Sequence, residues 1–417
     1  FSSRRRHTRY GTVTGVQTCA LPIYYFKFNT DHKVIGVQYV VFTFMMFLVG
    51  GMFAEIFRSE LARPGQQSIT NGQYNELISQ HGVIMIFVFM VPVFAGIGNY
   101  VIPLMIGADD MAFPRLNAVS FWLLPLAAGI LLSAWFFGSF NTGWTAYPTL
   151  QDQSPFGQTL FQIGVIIAGS SSIATAVNFL VTIVAMRAPG MTLFRMPLLC
   201  WANLATSALV VAATPFVAGT MFMAMFDREM GTHFFTTEGG GTALAYQHIF
   251  WFYSHPAVYI MVLPGFGIIS EVIATHARKP LFGYRAVAFS SAGIAVLGFS
   301  VWAHHMFASG MQTWLRVPIM FATLLIAVPT GIKIFSWVGT LWDGVIRLTT
   351  PNLFALGFIV AFVIGGLSGV MLASVPFDLS ITNSYFIVAH FHYVLFGGSV
   401  LTIYAGLYHW YPKVTGR

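Results

Sequence analysis

Ten stretches of this 417-residue chain are long and apolar enough to cross a lipid bilayer. They fall at 34–57, 80–106, 117–141, 159–186, 197–226, 245–275, 285–308, 317–341, 351–374 and 384–411. Hydrocarbon offers the backbone no hydrogen-bond partners, so only helices and closed barrels can span it. A barrel needs short segments of alternating polarity, and the chain has none. The expected fold class is therefore all-α, a polytopic transmembrane helix bundle of about ten spans. A composition of 56% hydrophobic against 8% charged residues excludes an ordinary soluble domain.

Charge then orients the bundle. Residues 1–23, "FSSRRRHTRYGTVTGVQTCALPI", are basic and aperiodic and stop abruptly where the membrane pattern begins. They resemble translated adapter sequence at the ends of assembled metagenomic genes. They lack the ordered apolar core and cleavage site of a leader peptide. They are treated as a non-native leader, with 24–417 as one transmembrane domain. Without them the net charge falls from +7 to +3, which removes any case for nucleic-acid binding. Alternate loops divide the remaining bases unequally. One side holds Lys27, Lys33, Arg115, Arg187, Arg195, Arg278, Lys279, Arg285, Arg347, Lys413 and Arg417; the other holds Arg58, Arg63, Arg228 and Arg316. The positive-inside rule puts the N-terminus in the cytoplasm. Lys333 alone lies mid-span. Cys200 stands alone in a span, so no disulfide or cysteine cluster is expected.

Eleven histidines lie outside the leader. His32, His233, His276 and His409 fall near span ends, where interfacial water can hydrate them, and His248 opens the sixth span. His81, His255, His304, His305, His390 and His392 fall within spans. One such ring is readily a structural histidine bonded to a neighbouring helix. Six, grouped on four spans, point to function, because ionisable groups at membrane depth are costly. Neutral imidazole suits iron, copper or zinc, and the scarcity of carboxylates disfavours magnesium or manganese. Adjacent His304 and His305 point about 100° apart and can converge on one ion, with His255 as a third nitrogen, a set that suits copper. His390 and His392 point about 200° apart, so each serves a different cofactor, and His81 can face one of them. An iron held by two imidazoles only passes electrons, whereas an iron held by one has a face open to a small gas molecule. That pattern places the last span between two haems.

The segments "QHIFWFYSHPAVYIMVLPGFGIIS", "VWAHHMF", "IAVPTGIKIFSW" and "IVAHFHYV" resemble subunit I of the haem–copper terminal oxidases of the cytochrome c oxidase type. "HGVIMIF", "GNYVIPLMIGADDMAFPRLNAVSFWLLP" and "NTDHKVIGVQYV" extend the likeness over about residues 28–417. The resemblance implies a respiratory enzyme that reduces O2 to water with electrons from cytochrome c, takes up protons and pumps others. It implies two haems, low-spin and high-spin and of A type, and one copper ion. Its partners would be a subunit II with a dicopper site, a subunit III, cytochrome c and the lipid of a bacterial inner (plasma) membrane. By residue, it makes His255, His304 and His305 the copper ligands, and Tyr259 the catalytic tyrosine cross-linked to His255. His390 becomes the high-spin haem ligand and His81 and His392 the low-spin pair. Arg58 would contact the low-spin haem's substituent, and Asp378 belongs to the propionate region. Lys333, Thr330, Ser270 and Tyr259 match one proton channel; Asp110, Asn99 and Asn117 match the mouth of a second.

The chain departs from the family pattern in three ways. The glutamate that usually ends the second channel is Ala257, and Tyr253 and Ser254 stand just before His255, like a family variant in which that pair takes its place. Thr382 and Asn383 replace the usual His-Asp magnesium ligands, so magnesium is not expected. The resemblance implies twelve spans, the last two carrying the arginine pair that neutralises haem propionates, so ten spans are what a truncated gene is expected to give. A quinol-oxidising relative is the nearest alternative, but its quinone site uses charges where this chain has Val49 and Phe53. A nitric oxide reductase would lack the Lys333 and Tyr259 pattern. A non-catalytic haem-binding transporter would explain the spans and Lys333 but not His255–Tyr259 beside adjacent histidines.

Overall fold

The computed structural model describes residues 25–416; the leader segment lies outside them. Among the described residues there is no strand. Among these residues, nine helices are long and apolar enough to cross a membrane: α1 (His32–Glu60), α2 (Asn71–Ile106), α3 (Pro114–Phe137), α4 (Gly157–Ala185), α5 (Leu198–Met230), α6 (Ala243–Ala277), α8 (Thr313–Leu341), α9 (Thr350–Leu372) and α11 (Tyr385–Thr415). Two shorter ones, α7 (Tyr284–Gly298) and α10 (Val375–Ile381), complete the bundle.

Local chemistry sets the helix starts. Asp31 caps α1 by accepting from the backbone N–H of Lys33 and Val34. Thr70 and Gln73 form a reciprocal capping box at α2. The wider turn at Ile84–Met90 runs into Pro92, whose missing N–H breaks the regular ladder. In α8 the helix breaks at Ile326, three residues before Pro329.

One expected span is different in kind. The run 285–308 folds as α7 only to Gly298, then turns at 299–300 and re-enters as a 3-10 turn, Trp302–Met306. His304 and His305 therefore lie on this turn and not on an α-helix. A second correction concerns His32, which is 3% exposed instead of hydrated at the interface, with Nδ1 2.7 Å from the Asn99 carbonyl.

The centre of the bundle is α6, with 78% of its apolar stretch buried against 22% for α8 and α9. It packs on α5, α7, α8, α9 and α11. Lipid supplies no hydrophobic drive for helix association, so close approach at small residues does the work. A Cβ at Gly267 would lie 2.7 Å from Leu199 Cα, and one at Gly265 2.5 Å from Thr402 Oγ1. The α1–α2 crossing is equally tight: a Cβ at Gly96 would meet Tyr39 Cβ at 2.7 Å and Gly36 O at 3.1 Å. Gly96→Ala is expected to force the two helices apart and cost about 1–3 kcal/mol, the usual scale of overpacking. A thermal melt of the purified complex checks this, and an unchanged midpoint would refute the crossing. Phe289, Phe321, Phe335, Val360 and Leu367 are exposed on the outer helices, as lipid-facing residues should be.

Candidate functional site

Three histidines meet where α6 faces the 302–306 turn. Among the described residues, His255, His304 and His305 are the one group of three whose ligand atoms lie within 4.8 Å of one another. His255 Nδ1 is 3.2 Å from His305 Nε2. Trp251, one turn before His255, stacks on His305 with centroids 3.8 Å apart and planes at 11°, fixing that ring. His304 Nδ1 lies 3.2 Å from Thr323 Oγ1 on α8, leaving its Nε2 for the cluster. His255 Nε2 is buried without a hydrogen-bond partner. An unmet buried nitrogen of this kind asks for an explanation. Tyr259 sits one turn along, its ring centroid 4.7 Å from that of His255. Three convergent neutral nitrogens, with no carboxylate among them, fit a copper ion.

A second and a third imidazole position lie on α11. His390 Nδ1 is 3.0 Å from both Gly365 O and Ser368 Oγ on α9. A carbonyl can only accept, so Nδ1 carries the proton and Nε2 presents its lone pair. A Cβ at Gly369 would come within 2.8 Å of His390 Cε1, so the ring needs glycine there. His81 and His392 are fixed the same way, Nδ1 lying 2.8 Å from Gly50 O and from Val388 O respectively. Their rings face each other at 6.5 Å between centroids and 18° between planes. An ion midway, about 2 Å from each ring nitrogen, needs centres roughly 6 Å apart. That separation would let the pair hold one metal ion between them, whereas His390 offers a single imidazole. Arg58 lies near the same end of α1, its guanidinium 5.9 Å over the Tyr385 ring. Asp378 on α10 is buried, and burial pushes its carboxyl up to about 6.

The polar residues assemble unequally. Asn117 Nδ2 donates to Asn99 Oδ1 at 2.6 Å, joining two of the three predicted channel-mouth residues. Asp110 lies in the loop beside them near His32, and burial raises its carboxyl above the usual range. The series then continues through residues the spacing did not nominate. Tyr39 Oη is 3.1 Å from Ser120 Oγ and 3.3 Å from Thr175 Oγ1, beside a small pocket lined by Ser171, Asn203, Thr206 and Ser207. Tyr39 lies within the quoted motif "NTDHKVIGVQYV", which was the signal available. Tyr253 is buried and stacks on Phe87, and Ser254 Oγ is buried without a partner. No hydrogen bond links the series to Tyr253 among the described residues. The lysine group is rearranged: Thr330 bonds back to Ile326 O, and Ser270 to Phe266 O and the Trp337 indole. Neither is a hydrogen-bond partner of Lys333.

The model of the family described as cytochrome C and quinol oxidase polypeptide I matches residues 34–417. The chain belongs to this family. It is 56% identical over 394 residues to cytochrome c oxidase subunit 1 of Synechocystis sp., covering 94% of this chain and 72% of that one. It is 53% identical over 395 residues to cytochrome c oxidase subunit 1 of Thermostichus vulcanus, with the same coverage of each. A haem–copper terminal oxidase dimer solved by cryo-electron microscopy shares the fold, at TM-score 0.71 and 18% identity over 90% of this chain and 68% of that one. Haem and copper are typical of the polypeptide I family, and a member of it is a multi-pass membrane protein that works in a complex with other subunits.

Proposed function

We propose that the chain is the catalytic subunit of a respiratory terminal oxidase that reduces O2 to water with electrons from cytochrome c, coupled to proton uptake and pumping. The observation that carries this is the buried His255–His304–His305 cluster with Tyr259 packed on His255. When bound, two haem irons and a copper ion would supply the electron relay and an open coordination face for the gas. His255, His304 and His305 hold the copper, His390 the high-spin haem and His81 with His392 the low-spin haem, with A-type haems the expectation. Arg58 and Asp378 then lie at haem peripheries.

The remaining roles belong to the protein's own groups. With Nδ1 committed to the cluster, His255 keeps only Nε2 for a covalent link to Tyr259, which accounts for its missing hydrogen bond. The Tyr259 phenol would supply one proton and one electron to the oxygen substrate, leaving a neutral phenoxyl that an electron from cytochrome c and a proton from the channel restore. Lys333, with Thr330 and Ser270 along its route, serves one proton path. Asp110, Asn99 and Asn117 gather protons for the other, which reaches Tyr253 and Ser254 by water; a phenol of ordinary pKa near 10 relays by hydrogen bonding and not as a resident carboxylate. The N-terminus lies in the cytoplasm, the membrane is a bacterial plasma membrane, and a dicopper subunit II and a subunit III complete the assembly. Val49 and Phe53 supply no charge for a quinol. Reduced-minus-oxidised and carbon-monoxide difference spectra of the assembled complex test the reading. One gas-binding haem, one inert haem and one copper are expected; a colourless, copper-free complex would overturn it.

A further inference from the structure

Lys333 is 1% exposed, yet neither hydroxyl that the sequence spacing nominated meets it. Its Nζ donates to Ser291 Oγ at 2.7 Å and to Val287 O at 3.2 Å, both on α7. It also lies 5.7 Å over the Phe266 ring. Ser291 donates its own proton to Val287 O at 3.2 Å, so its lone pairs are turned towards the ammonium. An unpaired ammonium inside a bundle is expensive, and these contacts with α7 and α6 are what hold this one.

The level of that contact matters. Tyr259 packs against α7 at Gly298, where a Cβ would lie 3.1 Å from Tyr259 Cδ2. Gly298 is seven residues beyond Ser291, or about 10 Å further along the axis at 1.5 Å per residue. Because α7 starts on the side assigned to the cytoplasm, the ammonium is held two helical turns short of Tyr259. Any buried amine needs acceptors, so their level is what matters: a proton carrier must recharge on the cytoplasmic side before delivering inward.

We infer that Ser291 is a positioning residue for proton delivery: with the Val287 carbonyl it seats the charged Lys333 at the cytoplasmic-side station of the path to Tyr259. The proton leaves Nζ towards Tyr259, and the resulting amine takes another from cytoplasmic water at the Ser291 seat. No electron moves in either step. The inference rests on the reading of Lys333 as a proton carrier.

The test uses the assembled oxidase carrying Ser291→Ala, Ser291→Thr, Lys333→Met and the double variant Ser291→Ala with Lys333→Met. Ser291→Ala is expected to lower kcat about fivefold with unchanged KM for O2 and cytochrome c. In a cryo-electron microscopy map it should release Nζ from Val287 O. Ser291→Thr, which keeps an acceptor, should recover at least half of the loss. On the Lys333→Met background, Ser291→Ala should leave both Tm and the residual rate unchanged. An equal fall in Tm on both backgrounds would make Ser291 a packing residue and overturn the inference. A wild-type rate in Ser291→Ala beside a dead Lys333→Met enzyme overturns it while sparing the carrier reading. Full turnover in Lys333→Met overturns the carrier reading and this inference together.

Discussion

His305→Ala should abolish oxygen consumption, lowering turnover by at least about 100-fold, while the low-spin haem spectrum persists. The ring has two duties in the structure. Its Nε2 faces His255 Nδ1 at 3.2 Å, and its plane stacks on Trp251 at 3.8 Å. Truncation removes one of three nitrogens and leaves space beside an indole, so the other two rings lose both their partner and their registry. Even outer partners of metal ligands cost 10–100-fold in affinity or activity when lost, and a ligand costs more. His81 and His392 are fixed by carbonyls on α1 and α11 and share no hydrogen bond with His305. Copper-to-iron ratio, difference spectra and oxygen uptake on one preparation decide the matter. A copper-replete, active variant would remove His305 from the centre, and loss of both haem signals would mean the bundle itself had failed.

How much of this was legible beforehand depends on whether the signal was local. Spans could be read because each is a continuous run of apolar residues, and the histidine partition because rings on one helix obey a fixed angular period. The opposed directions of His390 and His392 reappear as separate contacts, with α9 for one ring and with His81 for the other. The end of α7 could not be read: "LGFSVWAHHMF" is as apolar as its neighbours, and its conversion to a 3-10 turn follows from how it docks on α6. His32 looked interfacial because its sequence neighbours are polar, but the Asn99 carbonyl that buries it comes from another helix.

The lysine shows the same limit more sharply. Thr330 stands three residues before Lys333 on one face, but a hydroxyl inside a helix readily bonds its own i−4 carbonyl, and Thr330 does so. Ser291, 42 residues away in sequence, is the side-chain partner. Helical period identifies which residues share a face; it does not identify what the facing helix presents. A face shared on one helix thus says little about partners: Thr330 turns back on its own helix, whereas Asn99 and Asn117, on two helices, do meet.

Tyr259→Phe should cut turnover about 10²–10⁴-fold, the usual range when a positioned proton donor is lost, with the Tm of the complex unchanged. The change deletes one hydroxyl and keeps the ring. Its edge contact with His255 at 4.7 Å and its fit against Gly298 depend on the ring alone. The copper ligands are untouched, so metal content and both haem spectra should match the parent. A deficit confined to turnover would then belong to the phenol's hydrogen or to the His255 link it permits, and not to assembly. The same variant tests the covalent link. In the parent, the peptide containing His255 and Tyr259 should be lighter by a pair of hydrogens, because the new bond consumes a nitrogen-bound and a ring hydrogen, their two electrons passing to O2. Phenylalanine, without the hydroxyl that makes a tyrosine ring oxidisable, should restore the sequence mass. An unlinked parent peptide would leave the missing partner of His255 Nε2 unexplained by Tyr259, and a Tyr259→Phe enzyme turning over within a few-fold of the parent would show that the hydrogen comes from elsewhere.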